Sequence, residues 1–124
     1  MRERWAGAVR SGDARAGLGA IHVLYSLGSG LDGHAGHAHG GFVAVLLDEA
    51  MGLPAYIQMR NGCVTAYMRT DFKRGVPTPG VVMCSALVEK VEGRKMLVRA
   101  SLGDGKGTTF ATGEALYIML REKL

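Results

Sequence analysis

Between Val64 and Phe72 apolar and polar side chains alternate, with Val64, Ala66, Met68 and Phe72 on one side and Thr65, Tyr67, Arg69 and Asp71 on the other. A period of two predicts a strand with one buried face. The same period recurs from Lys95 to Leu102, where Met96, Val98, Ala100 and Leu102 share a face. Longer apolar runs at Val81 to Val91 and Thr108 to Leu120 predict two further strands, and the β-branched and aromatic content of Ala20 to Leu27 predicts a first one. Pro77-Thr78-Pro79-Gly80, Glu92-Gly93 and Gly103-Asp104-Gly105-Lys106-Gly107 are turn signals between them, the last two of hairpin type.

One stretch breaks the strand pattern. From His39-Gly40-Gly41 through Leu46-Leu47-Asp48-Glu49-Ala50-Met51-Gly52 the chain is apolar nearly all round at helical period, which predicts a buried helix ended by Gly52 and Pro54. Strand, helix, then four strands joined mainly by hairpin-like connections predicts an α+β domain in which an antiparallel sheet curls round one central helix. Residues 1–19 show little periodicity and are expected to be a partly ordered lead-in to a single domain over 20–124. A sheet on one side does not hide an all-round apolar helix, so a homodimer or dimer of dimers is expected to cover the rest.

Composition narrows the class. A chain of 124 residues has room for one modest core. The net charge of +4 is spread over pairs such as Lys73-Arg74 and Arg94-Lys95, which argues against a dedicated nucleic-acid binder and leaves room for a small anionic ligand. Cys63 and Cys84 lack metal-type spacing and read as reduced core thiols. No signal core or membrane-spanning run is evident, so neither membrane nor secretion is expected and the cytoplasm is the first compartment. An organellar, mitochondrial destination stands second, because Glu3 and Asp13 interrupt the arginines of the amino terminus.

The candidate chemistry lies on the helix. Its N-terminus offers free N–H groups and the positive end of the dipole, and Gly40 and Gly41 allow a ligand to approach that backbone closely. Such a site polarises a carbonyl and holds an oxyanion; a tight turn is the plain alternative. Asp48, eight residues on, is roughly 12 Å away at ~1.5 Å per residue, too far to share one reacting carbonyl with Gly40 of the same chain. If both act, they come from different subunits, with Asp48 as general base or nucleophile. Otherwise it caps or pairs with an arginine. Glu49 is the rival acid, turned about 100° round the helix.

Around this lie weaker candidates. For His34, His37 and His39 a structural or hydrogen-bonding role for His39 comes first, a substrate contact for His34 or His37 second, and a metal last; no metal is expected. Thr65 is placed to orient a water or a substrate oxygen, or is an ordinary strand threonine. Lys73, Arg74, Arg94 and Lys95 fall at strand ends and suit phosphates, with solvated turn charges as the alternative. Phe42, Met51, Met59, Met68 and Met83 either line a pocket or fill the core.

His39-Gly40-Gly41 followed by an apolar helix with Asp48 nine positions after the histidine resembles the hotdog-fold acyl-coenzyme A thioesterases, in their phenylacetate-pathway and thioesterase superfamily member branch. The runs Thr65-Ala66-Tyr67-Met68-Arg69-Thr70-Asp71-Phe72-Lys73-Arg74 and Val88-Glu89-Lys90-Val91-Glu92-Gly93-Arg94-Lys95 are similar to that branch's aromatic-Lys-Arg-Pro strand and its hairpin. The similarity extends from about Ala20 to Leu120. It implies a hotdog fold and hydrolysis of an acyl-coenzyme A or acyl-carrier thioester. Gly40 N–H would serve the oxyanion hole, Asp48 would activate water or attack, Thr65 would assist from the same subunit, and His39 would hold the loop. Coenzyme A enters as part of the substrate, with no separate cofactor. Two alternatives remain: release or cyclisation of a carrier-bound polyketide-type chain, and a non-catalytic acyl-binding module. The chain departs from the pattern at Gly33, where some members have an asparagine, at Gly75, where the proline is delayed to Pro77, and at His37, which has no counterpart.

Overall fold

The structure is a computed structural model that describes residues 20–58 and 62–121. The lead-in expected over residues 1–19 and the side chain of Met59 lie outside them. The elements are β1 (Ala20–Leu27), β2 (Asp32–His34), β3 (His37–Ala38), α1 (Gly40–Gln58), β4 (Cys63–Phe72), β5 (Gly80–Glu92), β6 (Lys95–Gly103) and β7 (Thr109–Met119), with a short 3-10 turn at Ser29–Leu31.

Five strands form one antiparallel sheet in the order β1-β5-β6-β7-β4, wrapped on α1. This is the curled sheet round one central helix that the hydrophobic pattern predicts, and it is the hotdog fold. β5, β6 and β7 follow one another through hairpins, so neighbours in sequence are neighbours in the sheet. Gly93 turns the first hairpin with φ of 60°, a conformation that a side chain disfavours. In the second, Asp104 Oδ1 accepts from the N–H groups of Lys106 (2.7 Å) and Thr108 (3.1 Å).

The core is the seam where α1 meets the sheet. Leu47, Ala50 and Met51 on the helix pack against Met96, Val98 and Leu102 of β6 and Ala111 and Ala115 of β7, all buried. Each large apolar side chain taken out of water here contributes about 1.5–3 kcal/mol. Gly113 lets the helix settle on β7, since a Cβ there would stand 2.9 Å from Met51 Cε.

Three local expectations are corrected. Gly52 and Pro54 do not end the helix, which continues to Gln58. Pro54 costs a backbone hydrogen bond, but its ring and Ala55 are buried, and that burial holds the last turns on the sheet. The extended helix is consequently long and apolar enough to span a membrane by length and composition, contrary to the reading that no such run exists. Its packed seam is that of a core helix.

The third correction concerns β4. Val64, Ala66 and Phe72 do not form a buried face: Val64 is 48% and Phe72 57% exposed. β4 is an edge strand, and its register to β7 shifts between Thr65 and Tyr67, which breaks the simple alternation. Of the residues proposed to line a pocket or fill the core, Met51 is core, Phe42 and Met68 pack against the core, and Met83 lies opposite Leu24 on the outer side of the sheet.

The glycine loop before α1 is more ordered than its composition suggests. β2 and β3 form a small two-stranded sheet. It is strapped to residues 76–78, with Ala38 N–H donating to the Val76 carbonyl (2.9 Å), Thr78 N–H to the Gly36 carbonyl (2.9 Å) and the Thr78 hydroxyl to Asp32. Thr78-Pro79 is a cis peptide bond.

Candidate functional site

The first half of the site is the N-terminus of α1. His39 precedes the helix and its Nδ1 accepts from Gly41 N–H (2.9 Å), while its carbonyl accepts the first helical bond from Val43 (3.1 Å). The imidazole therefore acts as an N-cap in the position usually taken by Ser or Asp. Gly40 is the first helical residue, and its N–H precedes the intrahelical bonds, so it faces outward with the positive end of the dipole behind it.

Gly40 lines a pocket of about 340 Å³ together with Phe72, Lys73, Arg74, Val43 and Val76. The Phe72 ring lies against Gly40, where a Cβ would meet it at 3.6 Å. Lys73 and Arg74 are held at the rim because both backbone N–H groups donate to the Phe110 carbonyl (2.7 and 3.0 Å). The helix N-terminus and two cationic residues thus border one pocket. Gly33 lies behind it, and a Cβ there would stand 3.2 Å from His39 Cα, so this departure from the resemblance leaves room for the backbone that leads into Gly40.

The second half of the site lies two turns along α1. Asp48, half-buried, receives the Tyr117 hydroxyl at both its Oδ1 (3.0 Å) and its own backbone carbonyl (3.1 Å). Tyr117 is 3% exposed, and Thr65 is its register partner on the neighbouring strand β4. Burial first, then the Asp48 charge and hydrogen bond, hold the Tyr117 hydroxyl well above the usual tyrosine range, while a hydrogen bond with the Thr65 side chain acts in the opposite sense. Asp48 and Tyr117 are joined directly, and Thr65 lies beside them on the neighbouring strand.

Glu49, the rival acid, points elsewhere. The Tyr25 hydroxyl of β1 donates to its Oε1 (3.0 Å), about 100° round the helix from the Asp48–Tyr117 bond. Desolvation followed by the Glu49 bond and charge raises Tyr25 in the same way. Two adjacent acids are thus held by two tyrosines from different strands.

The remaining candidates are dispersed. Arg94 Nη1 donates to the Met119 carbonyl (2.9 Å), closing the end of β6 on β7, and Lys95 borders a separate pocket of about 200 Å³ with Tyr67 and Leu97. Neither lines the pocket that holds Gly40, Lys73 and Arg74. His34 is exposed and stands opposite His37 in the β2–β3 pair. Among the described residues no three His, Cys, Asp or Glu side chains converge in a way that would hold a metal.

Tyr117 is the residue that sequence reasoning missed. The sequence signals its burial but not its partner: in β7 it continues the inward row of Ala111, Gly113 and Ala115, and a tyrosine at a core position needs a partner for its hydroxyl.

Known proteins bear on this geometry. The model of the thioesterase superfamily matches residues 35–111. Acyl-coenzyme A thioesterase THEM4 of Xenopus laevis is 33% identical over 98 residues, covering 78% of this chain and 44% of that protein. The chain spans less than half the length of the curated relatives it matches first. Among solved structures, a phenylacetic acid degradation-related protein from Ralstonia eutropha superposes with a TM-score of 0.76 at 21% identity, covering 92% of this chain and 88% of the other. A Streptococcus mutans protein bound to acetyl CoA superposes with a TM-score of 0.75 at 15% identity, covering 86% and 85%. These likenesses carry the fold, and the family match spans both the cap of α1 and the acid two turns along it: the chain belongs to the thioesterase superfamily.

Proposed function

We propose that this chain is a homo-oligomeric hydrolase of acyl-coenzyme A thioesters, each active site being assembled from two subunits. The observation that carries the reading is the division of α1 into two chemically complementary ends. Gly40 N–H with Lys73 and Arg74 suits a thioester carbonyl and the carrier's phosphates, and the Asp48, Tyr117 and Thr65 group suits a water. The two ends are roughly 12 Å apart at ~1.5 Å per residue, so a single chain does not close them on one carbonyl.

In this reading Gly40 N–H and the helix dipole polarise the thioester carbonyl and hold the oxyanion of the tetrahedral intermediate. Asp48 of the other subunit takes a proton from water as its oxygen bonds to the carbonyl carbon. Collapse of the intermediate breaks the C–S bond, and the thiolate leaves with that proton. Attack by Asp48 itself gives the same products through an anhydride. Single turnover in 18O-labelled water tests for the second route, because an anhydride opened at its Asp48 carbonyl leaves label in the Asp48 carboxylate.

The exposed apolar residues Val64 and Phe72 on the edge strand support coverage by a second copy, whether in a dimer or in a dimer of dimers. Light scattering on the eluting protein tests this: a stable, active monomer would remove the two-subunit site. The compartment proposed is the cytoplasm, with the mitochondrion second, in keeping with two cysteines that are free in the fold.

Free thiol release from a panel of acyl-coenzyme A esters tests the reaction. Asp48→Asn is expected to lower the rate by about 10²–10⁴-fold, the range for loss of a positioned general base. A wild-type rate in that variant would take Asp48 out of the mechanism.

A further inference from the structure

We infer that Tyr117 is a positioning residue for Asp48, fixing by its hydroxyl which carboxylate oxygen addresses the reacting water. The inference rests on the hydrolase reading above and adds to it a residue that the motif does not contain.

The geometry is specific. One hydroxyl lies 3.0 Å from Asp48 Oδ1 and 3.1 Å from the Asp48 backbone carbonyl, so it ties the side chain to its own main chain and limits rotation about the first torsion. With Oδ1 engaged, Oδ2 is left as the oxygen that meets water. The tyrosine itself does not wander. Its ring is buried in the inward row of β7, and beside it is Gly52, where a Cβ would stand 3.8 Å from the hydroxyl.

The same residue neighbours the other proposed polar residue of this half-site. Thr65 is the register partner of Tyr117 across the β4–β7 ladder, so the residue that holds Asp48 sits directly beside Thr65. A phenylalanine would fill the same core volume and supply neither bond to Asp48. The raised ionisation of the buried phenol keeps it a donor throughout the working pH range.

The Tyr25–Glu49 pair provides an internal control. It has the same chemistry and length, 3.0 Å, at the next residue of the same helix, turned about 100° away, and Glu49 has no part in the proposed reaction.

The experiment compares Tyr117→Phe with Tyr25→Phe. Tyr117→Phe is expected to lower kcat by about 10²-fold, the cost of misplacing a reacting group by about 1 Å, with KM for the acyl-coenzyme A ester within about twofold of wild type. In an Asp48→Asn background it should add little further loss, because the two residues act as a unit. Tyr25→Phe should keep the wild-type kcat.

A second readout does not depend on turnover. In protein labelled with 13C at aspartate carboxyls, the Asp48 resonance is expected to shift and broaden in Tyr117→Phe and to stay in place in Tyr25→Phe. Wild-type kcat in Tyr117→Phe, a full additional loss on top of Asp48→Asn, or an unmoved Asp48 resonance would each overturn the inference. A wild-type protein that hydrolyses no thioester would overturn the hydrolase reading instead, and the resonance would still decide whether Tyr117 fixes Asp48.

Discussion

Gly75 lies under the imidazole of His37, so close that a Cβ at residue 75 would stand 2.7 Å from His37 Cδ2. The two positions at which this chain departs from the motif on either side of the pocket are therefore one feature. Where the pattern has proline after the basic pair, this chain has glycine, and the space admits a histidine that the pattern lacks. The strap from Val76 to Thr78 then carries that histidine's strand, through the Ala38–Val76 and Gly36–Thr78 bonds.

Gly75→Ala should push the His37 ring aside and loosen the strap. Both residues are exposed and the imidazole can turn away, so a loss of about 0.5–1 kcal/mol is expected, read as a lower denaturation midpoint. His37→Ala in the same chain should restore most of it. Coupling of at least about 0.5 kcal/mol in the double-mutant cycle is the expected result, and simple additivity would show that the two residues are independent.

Lys73 and Arg74 border the pocket that contains Gly40, whereas Arg94 and Lys95 do not. Replacing both Lys73 and Arg74 by glutamate is expected to raise KM for an acyl-coenzyme A ester by about tenfold or more and to flatten its dependence on salt, since exposed charges act through a screened field. Steady-state rates between low and high ionic strength measure both effects. An unchanged salt slope would place the phosphates elsewhere.

Leu47 is fully buried between the helix and the sheet. Leu47→Ala is expected to cost about 2–5 kcal/mol, from lost burial and the cavity left behind. Denaturant unfolding at fixed protein concentration checks it, since association would otherwise shift the midpoint.

Cys84 is fully buried, and burial pushes its thiol from the usual 9.0 up to about 12. The folded chain therefore keeps the proton that the unfolded chain loses above about pH 9, and the stabilisation from this group is present below pH 9 and lost between 9 and 12. The stability gap between the wild type and Cys84→Ala should narrow over that interval. At pH 8 iodoacetamide should modify Cys63, which is only partly covered, well before Cys84.

Much of the fold was legible because it rests on period and punctuation. Met96, Val98, Ala100 and Leu102 are buried together as their spacing predicts, and the hairpins fall at Gly93 and at the Gly103 to Gly107 cluster. Pro54 was misread because local propensity favours a stop there, while the burial that overrides it is tertiary. Val64 and Phe72 were misread because alternation reports which residues share a face; whether that face is covered depends on being at an edge. In the candidate site, Gly40 and Asp48 are singled out by the helix that joins them. Tyr117 is not, since its contact with Asp48 spans 69 residues and no local pattern encodes it.

The paired tyrosines have a consequence for the helix as a whole. An apolar rod on an apolar sheet is free to settle at several angles about its long axis, because greasy contact has no direction and each alternative exchanges one methyl-bearing side chain for another. Hydroxyls from β7 and β1, gripping successive residues about 100° apart, act as stops against rolling in either direction. The angular setting of α1 is thereby indexed by two polar bonds, so that Gly40 and Asp48 are aimed by the same pair of stops.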